Sequence, residues 1–212
     1  MLQAAITGTL PMRETATSSD DRRLAAACAA GNTRVFEELY DRLGDRMKSI
    51  AWNHLGNSAD AEDAVQETFL KIHRAASTYT GEASFSTWAF RILVNTCYDI
   101  LRKRRRRIDE APMDDEPETV ERTAPSVDDA KRITLRKLLN ELPEQRRSVF
   151  TLFEIEGLSH AEIGEVLGIS EGNSKWILFA TKKELQEKWS RSHAVSQSPR
   201  DRVTAKPREP QS

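Results

Sequence analysis

The sequence predicts an all-α protein, with two small helical domains joined by a flexible acidic linker. Three observations carry this. Apolar residues recur at three- and four-residue intervals across 20–107 and again across 131–189, the period of one helix face. Between them, 108–130 holds Pro112, Pro117 and Pro125 and nine acidic residues against the single Arg122, too little apolar surface to fold alone. Within the second block, LSHAEIGEVLGISEGNSKWILFATKKELQEKW (158–189) reads as a short helix, a glycine turn and a second helix.

Residues 1–19 are polar, rich in Thr and Ser, and expected to be loose. Leu24, Ala27 and Cys28 mark the apolar face of a first helix that Gly31-Asn32 ends. Val35, Phe36, Leu39, Tyr40 and Leu43 begin a second, which Met47, Ile50, Ala51, Trp52 and Leu55 continue until Gly56-Asn57-Ser58 breaks the chain. A third helix is expected from about Asp60 to Ala75, with Ala61, Val65, Phe69 and Ile72 inward, then a loop at 78–82. A fourth starts near Ser84 and runs into Arg102, Lys103, Arg104, Arg105, Arg106 and Arg107. The second domain begins near Ala130, with a stripe of Ile133, Leu135, Leu138, Leu139 and Leu142. Pro143 opens the next helix, filled by Val149, Phe150, Leu152, Phe153 and Ile155. Ser159 with Glu162 predicts a capping box, Gly168 the turn, Ile169 its plug and Ser170 the cap of the last helix. Residues 190–212 are Ser-, Pro- and Arg-rich and are expected to form a disordered tail.

Composition narrows the chemistry. Charged residues make up 31% of the 212 and aromatics 7%, so the cores are small and helical. The net charge of −1 conceals a sharp segregation of signs, basic at 102–107 and acidic just after it. Cys28 and Cys97 lack CxxC spacing and sit in apolar patterns, which predicts buried free thiols in a reducing cytoplasm. His54, His73, His160 and His193 are scattered, predicting solvated or locally hydrogen-bonded rings. No catalytic residue, metal site or cofactor is expected, because the sequence has no paired nucleophile and base, phosphate cradle or ligand cluster. Neither a membrane span nor a secretory leader is legible.

Four segments together carry a resemblance over roughly 20–190: GNTRVFEELYDRLGDRMKSIAW, SADAEDAVQETFLKIHRA, ASFSTWAFRILVNTCYDILRKRRRR and LPEQRRSVFTLFEIEGLSHAEIGEVLGIS. In order and spacing the chain resembles a bacterial RNA polymerase sigma factor of the extracytoplasmic-function group. The resemblance implies that 20–107 is region two, which binds core polymerase and the minus-ten element, and 131–189 is region four with its helix-turn-helix. It also implies core RNA polymerase (its largest and second-largest subunits) and promoter DNA as partners, an anti-sigma protein that sequesters the factor, and a monomer when free.

The polar side of the third helix would by itself be a solvated face. The resemblance assigns it, through Asp60, Asp63, Gln66, Glu67, Leu70 and Lys71, to docking on a helix pair of the polymerase's largest subunit. It assigns minus-ten contact, including capture of a flipped base, to the loop at 81–85 and to Ser84, Thr87, Trp88, Arg91, Asn95, Lys103 and Arg104. The helix-turn-helix contacts fall to Ser159, His160, Ser170, Glu171, Asn173, Ser174, Lys175, Trp176, Ile177 and Lys182. The last helix departs from the family pattern. Ile177 and Ala180 stand where arginines are usual, and Trp176 and Phe179 where groups are smaller or polar. That loss removes the commonest guanine contacts. Ile177 and Ala180 are then expected to touch thymine methyls, or the apolar patch to meet a protein. Two other readings stay open: a stand-alone helix-turn-helix regulator, and a sigma-like interaction module with weakened DNA readout.

Overall fold

The computed structural model describes residues 18–110 and 127–196, all helices and short connections with no strand among the described residues. The expectations for the N-terminal segment before 18, for most of the acidic linker and for the tail beyond 196 lie outside the described residues.

The first lobe comprises α1 (Ser18–Ala29), α2 (Thr33–Leu55), α3 (Ser58–Ala75), a single 3₁₀ turn (Ala76–Thr78) and α4 (Phe85–Glu110). Gly56 ends α2 in the left-handed conformation at φ 81°. The neighbouring Asn57 then caps α3, its Oδ1 accepting the Asp60 amide at 2.7 Å. This cap starts α3 two residues earlier than periodicity predicts. Met47, Ile50, Val65, Ile72, Phe90 and Leu93 are fully buried between α2, α3 and α4. Cys28 and Cys97 are free and buried, and burial pushes their thiols up to about 11 and about 12.

The second lobe comprises α5 (Val127–Asn140), α6 (Glu144–Phe150) with a π stretch (Thr151–Ile155), α7 (His160–Leu167) and α8 (Glu171–Ser196). α8 therefore continues seven residues past Trp189, where the tail was expected to begin. Leu139, Leu142, Val149, Phe150, Leu152, Ile163, Val166 and Leu185 form its core.

The lobes meet along a polar seam, with α7 packed on α4 and α6 on α2. His54 on α2 is fully buried there. Its Nδ1 lies 2.8 Å from the Ile50 carbonyl, so Nδ1 donates, and Nε2 accepts from the Ser148 hydroxyl at 2.7 Å. The Tyr98 hydroxyl completes the chain by donating to Ser148 Oγ at 2.7 Å. Arg147 donates to the His54 carbonyl at 3.1 Å, Arg46 donates to the Glu156 carbonyl at 2.9 Å, and Arg105 pairs with Glu144 at 2.8 Å. The expectation of a solvated or local role for His54 is thus corrected in part: one ring nitrogen bonds locally, and the other ties the lobes together.

Burial lowers the His54 pKa from 6.5 to about 4, with Arg147 adding to the effect. The native state therefore binds fewer protons than the unfolded chain between these values. Stability is intact above pH 6.5 and falls as pH drops toward 4. Titration of His54 alone amounts to about 2 kcal/mol by pH 5. Burial raises the Glu156 carboxyl, which acts in the opposite sense. Urea midpoints of wild type and His54→Gln at pH 7.5 and 5 isolate the histidine: the acid loss is expected to shrink in the variant, and equal losses would refute the assignment.

Candidate partner and nucleic-acid interfaces

The first candidate surface is the outer side of α3 with the second half of α4. Ala61, Ala64, Val65, Thr68 and Ile72 turn inward, while Phe69, placed inward by periodicity, sits half-buried at the flank, 5.4 Å from the Tyr40 ring. Asp63, Gln66, Glu67 and Leu70 are exposed, Leu70 by 51%. They line one wall of an open groove of about 540 Å³ whose other wall carries Asp99, Ile100, Arg102, Lys103 and Arg106 of α4. Lys71 spans the floor, donating to Thr96 Oγ1 at 3.0 Å and lying 4.0 Å from Glu67. The result is exposed Leu70 facing half-buried Ile100 within a rim of both charge signs, the arrangement of a protein-docking anchor.

Two assignments made from sequence cross here. Asp60 accepts from Asn57 Nδ2 at 2.8 Å and pairs with Arg104 at 2.6 Å, so an expected polymerase contact and an expected DNA contact hold each other. Lys103 lines the groove beside the acids of α3. The basic run is therefore not a single solvated patch: Arg102 pairs with Asp99, Arg104 with Asp60 and Arg105 with Glu144.

The second surface is the first half of α4. Its N-terminus is held by Ser84, whose Oγ accepts the Thr87 amide at 3.1 Å, and by the buried Asp21, whose Oδ2 accepts the Phe85 amide at 2.9 Å. Asp21 lies 64 positions away and was not legible as a cap. Trp88 packs with Tyr79 and Phe85 at ring separations of 5.3 to 5.5 Å and stays half-exposed. Arg91 and Asn95 are fully outward, one turn apart on the same side as Trp88. Thr87 is corrected: it is 3% exposed and hydrogen-bonds Ser84 Oγ at 2.8 Å, so it positions the loop.

The third surface is the helix-turn-helix. The predicted capping box is present: Ser159 Oγ accepts the Glu162 amide at 3.3 Å, and Glu162 accepts the Ser159 amide at 2.7 Å. Gly168 is left-handed at φ 67°, and Ser170 Oγ accepts the Asn173 amide at 3.1 Å. Ser159 and Ser170 thus serve as caps. His160 stacks on Phe153 at 4.4 Å and bonds Ser174 Oγ at 2.9 Å; burial and Lys175 lower its pKa. Two residues expected to face DNA are corrected. Ser174 is completely buried and Ile177 is 4% exposed, because the inward stripe of α8 runs Ser174, Ile177, Leu178, Thr181, Leu185. Lys175 pairs with Glu171 at 2.6 Å, and Lys182 pairs with Glu154. Asn173, Trp176 and Phe179 remain outward, the two rings 61% and 71% exposed.

Removing the capping hydroxyl with Ser159→Ala is expected to destabilise the second lobe by about 1 kcal/mol. A chemical-denaturation midpoint measures it, and an unchanged midpoint would count against the cap.

Two helical lobes with an anchor-bearing groove, a basic and aromatic helix and a helix-turn-helix define a two-lobed DNA-binding factor that works on a larger protein. The sigma-70 region 2 model matches residues 39–107 and the sigma-70 region 4 model matches 132–185. The chain is 34% identical over 155 residues to the ECF RNA polymerase sigma factor SigM of Mycobacterium tuberculosis, covering 73% of this chain and 77% of that one. It is 32% identical over 163 residues to the ECF sigma factor SigF of Caulobacter vibrioides, covering 76% and 89%. Among solved structures, CnrH in complex with the cytosolic domain of CnrY superposes with TM-score 0.60 at 27% identity, covering 84% of this chain and 99% of that one. Bartonella quintana RpoE in complex with the anti-sigma factor NepR shares the fold, with TM-score 0.58 at 21% identity, covering 73% and 96%. This chain belongs to the extracytoplasmic-function RNA polymerase sigma factors.

Proposed function

We propose that this sigma factor docks on core RNA polymerase through the α3–α4 groove, opens promoters with the first half of α4 and holds upstream duplex with α8. It works in transcription initiation with no chemistry of its own, in the cytoplasm and as a monomer when free. The observation that carries this reading is the outward side of the first lobe. Leu70 of α3 lies in its charged rim, and Trp88, Arg91 and Asn95 lie on the first half of α4, the helix whose second half forms the other wall of the groove. Docking would then set strand capture beside the polymerase surface. Arg91 supplies phosphate attraction, Asn95 a hydrogen-bonding amide and Trp88 an aromatic edge, the combination single-strand readers use.

The solved complexes hold CnrH with the cytosolic domain of CnrY, and the Bartonella sigma factor RpoE with the anti-sigma factor NepR. By analogy, an anti-sigma protein that covers the groove and α8 is the partner expected to silence this chain.

In vitro transcription with core polymerase and a pool of promoter fragments tests the function. Start-site-specific transcripts are expected, and stable core binding without them would favour an interaction module instead. Arg91→Ala with Asn95→Ala is expected to cut open-complex formation by about ten-fold or more, since each contact is of order 1 kcal/mol. Permanganate reactivity of unpaired thymines measures this, with core binding unchanged as the control.

A further inference from the structure

The outward side of α8 has an unusual composition for a helix placed to enter a major groove. Opposite the buried stripe of Ser174, Ile177, Leu178 and Thr181 lie Gly172, Trp176, Phe179 and Lys183, all exposed. Among the described residues of α8 the first arginine is Arg191, well beyond the first turns that meet base edges. The fork that reads guanine is therefore absent where it would be needed. What is present is two large rings one turn apart, with the amide of Asn173 beside them.

We infer that Trp176 and Phe179 read thymine C5-methyl groups on the major-groove edge of an A·T-rich upstream promoter element, with Asn173 bonding adenine. The inference rests on the promoter-binding reading above and specifies its ligand. Three observations favour duplex DNA over a protein as the occupant. The rings sit on the first turns of the second helix of a helix-turn-helix, the part that enters the groove. Lys183 stands one turn beyond Phe179 on the same side, and Lys175, paired with Glu171, borders Trp176, so cations stand beside the rings where phosphate would lie. Gly172 has open space where a Cβ would stand, so the start of α8 can approach a nucleic-acid backbone closely. Packing of the two lobes leaves both rings outward, so the face is available in this arrangement.

Thymine and deoxyuridine differ only in that methyl, which makes the test chemical. Full-length protein with core polymerase is given promoters selected from a library randomised upstream, then the same promoters with deoxyuridine replacing thymine there. Selected sequences are expected to be thymine-bearing, and each contacted methyl lost lowers initiation about three- to five-fold, the scale of burying one methyl-sized group. Trp176→Ala with Phe179→Ala is expected to abolish the thymine–uracil difference while leaving helix content and core binding intact. Initiation indifferent to uracil in the wild type overturns the inference while leaving the sigma activity standing. Variants that keep the uracil response but lose a protein contact assign the face to a protein and likewise overturn it. Absence of promoter-directed transcription altogether removes the underlying reading, and this inference with it.

Discussion

Asp63→Arg combined with Leu70→Asp is expected to lower affinity for core polymerase by about 100-fold or more, with circular dichroism unchanged. The magnitude follows from where the two side chains stand. Leu70 is 51% exposed and Asp63 is fully outward, so neither supports the core, and changing them costs little folding free energy. In a complex, an apolar anchor at the centre of a desolvated patch is worth about 2 kcal/mol or more, and a reversed charge in its rim adds repulsion of several kcal/mol. Together these exceed the 2.7 kcal/mol or so that a hundred-fold loss requires. Fluorescence anisotropy of labelled protein against core enzyme measures the effect, with Glu187→Arg on the exposed end of α8 as the control. Binding equal to wild type would show that the groove between α3 and α4 is not the docking surface.

Features set by neighbours in sequence were legible in advance. The Ser159–Glu162 capping box, the Gly168 turn, the Gly56 break and the inward positions Ala61, Val65 and Ile72 all follow from local spacing, and each is present. Features set by contacts between distant residues were not. The Asp21 carboxylate that holds the start of α4, and the His54–Ser148 bond across 94 positions, depend on how helices stack in three dimensions. Ser174 was also read as replacing a buried aliphatic and is buried, but Ile177 was misread for another reason. A helix turns about 100° per residue, so positions at the edge of an apolar stripe fall inward or outward by a small rotation. Ile177 was placed outward because arginine is usual there in the family, whereas its own apolar side chain packs beside Leu178. Thr87 and Ser174, polar by composition, find hydrogen-bond partners inside, which is what allows them to be buried.

Gly164→Ala is expected to damage the helix-turn-helix out of proportion to the single methyl it adds. A Cβ at this position would stand 2.7 Å from the Ile169 carbonyl oxygen, a backbone atom that no rotamer change can move away. The same glycine's carbonyl accepts the amides of both Gly168 and Ile169, the latter at 3.0 Å, so the turn folds back directly over it. Relieving the clash must push the 168–170 turn outward, loosening those bonds and tilting α8 against α7. Overpacking of this kind costs about 1–3 kcal/mol, and for a lobe of this size each kcal/mol lowers Tm by roughly 4–8 °C. The functional effect should exceed the thermal one below Tm, because a tilt of α8 displaces Asn173, Trp176 and Phe179 together relative to the groove. Transcription from promoters that need the upstream element is then expected to fall about ten-fold or more. Core binding through the first lobe stays near wild type, since the groove between α3 and α4 is built without Gly164. A Gly164→Ala protein with unchanged melting and unchanged promoter selection would mean that the turn accommodates the methyl, and that α8 is not held by this contact.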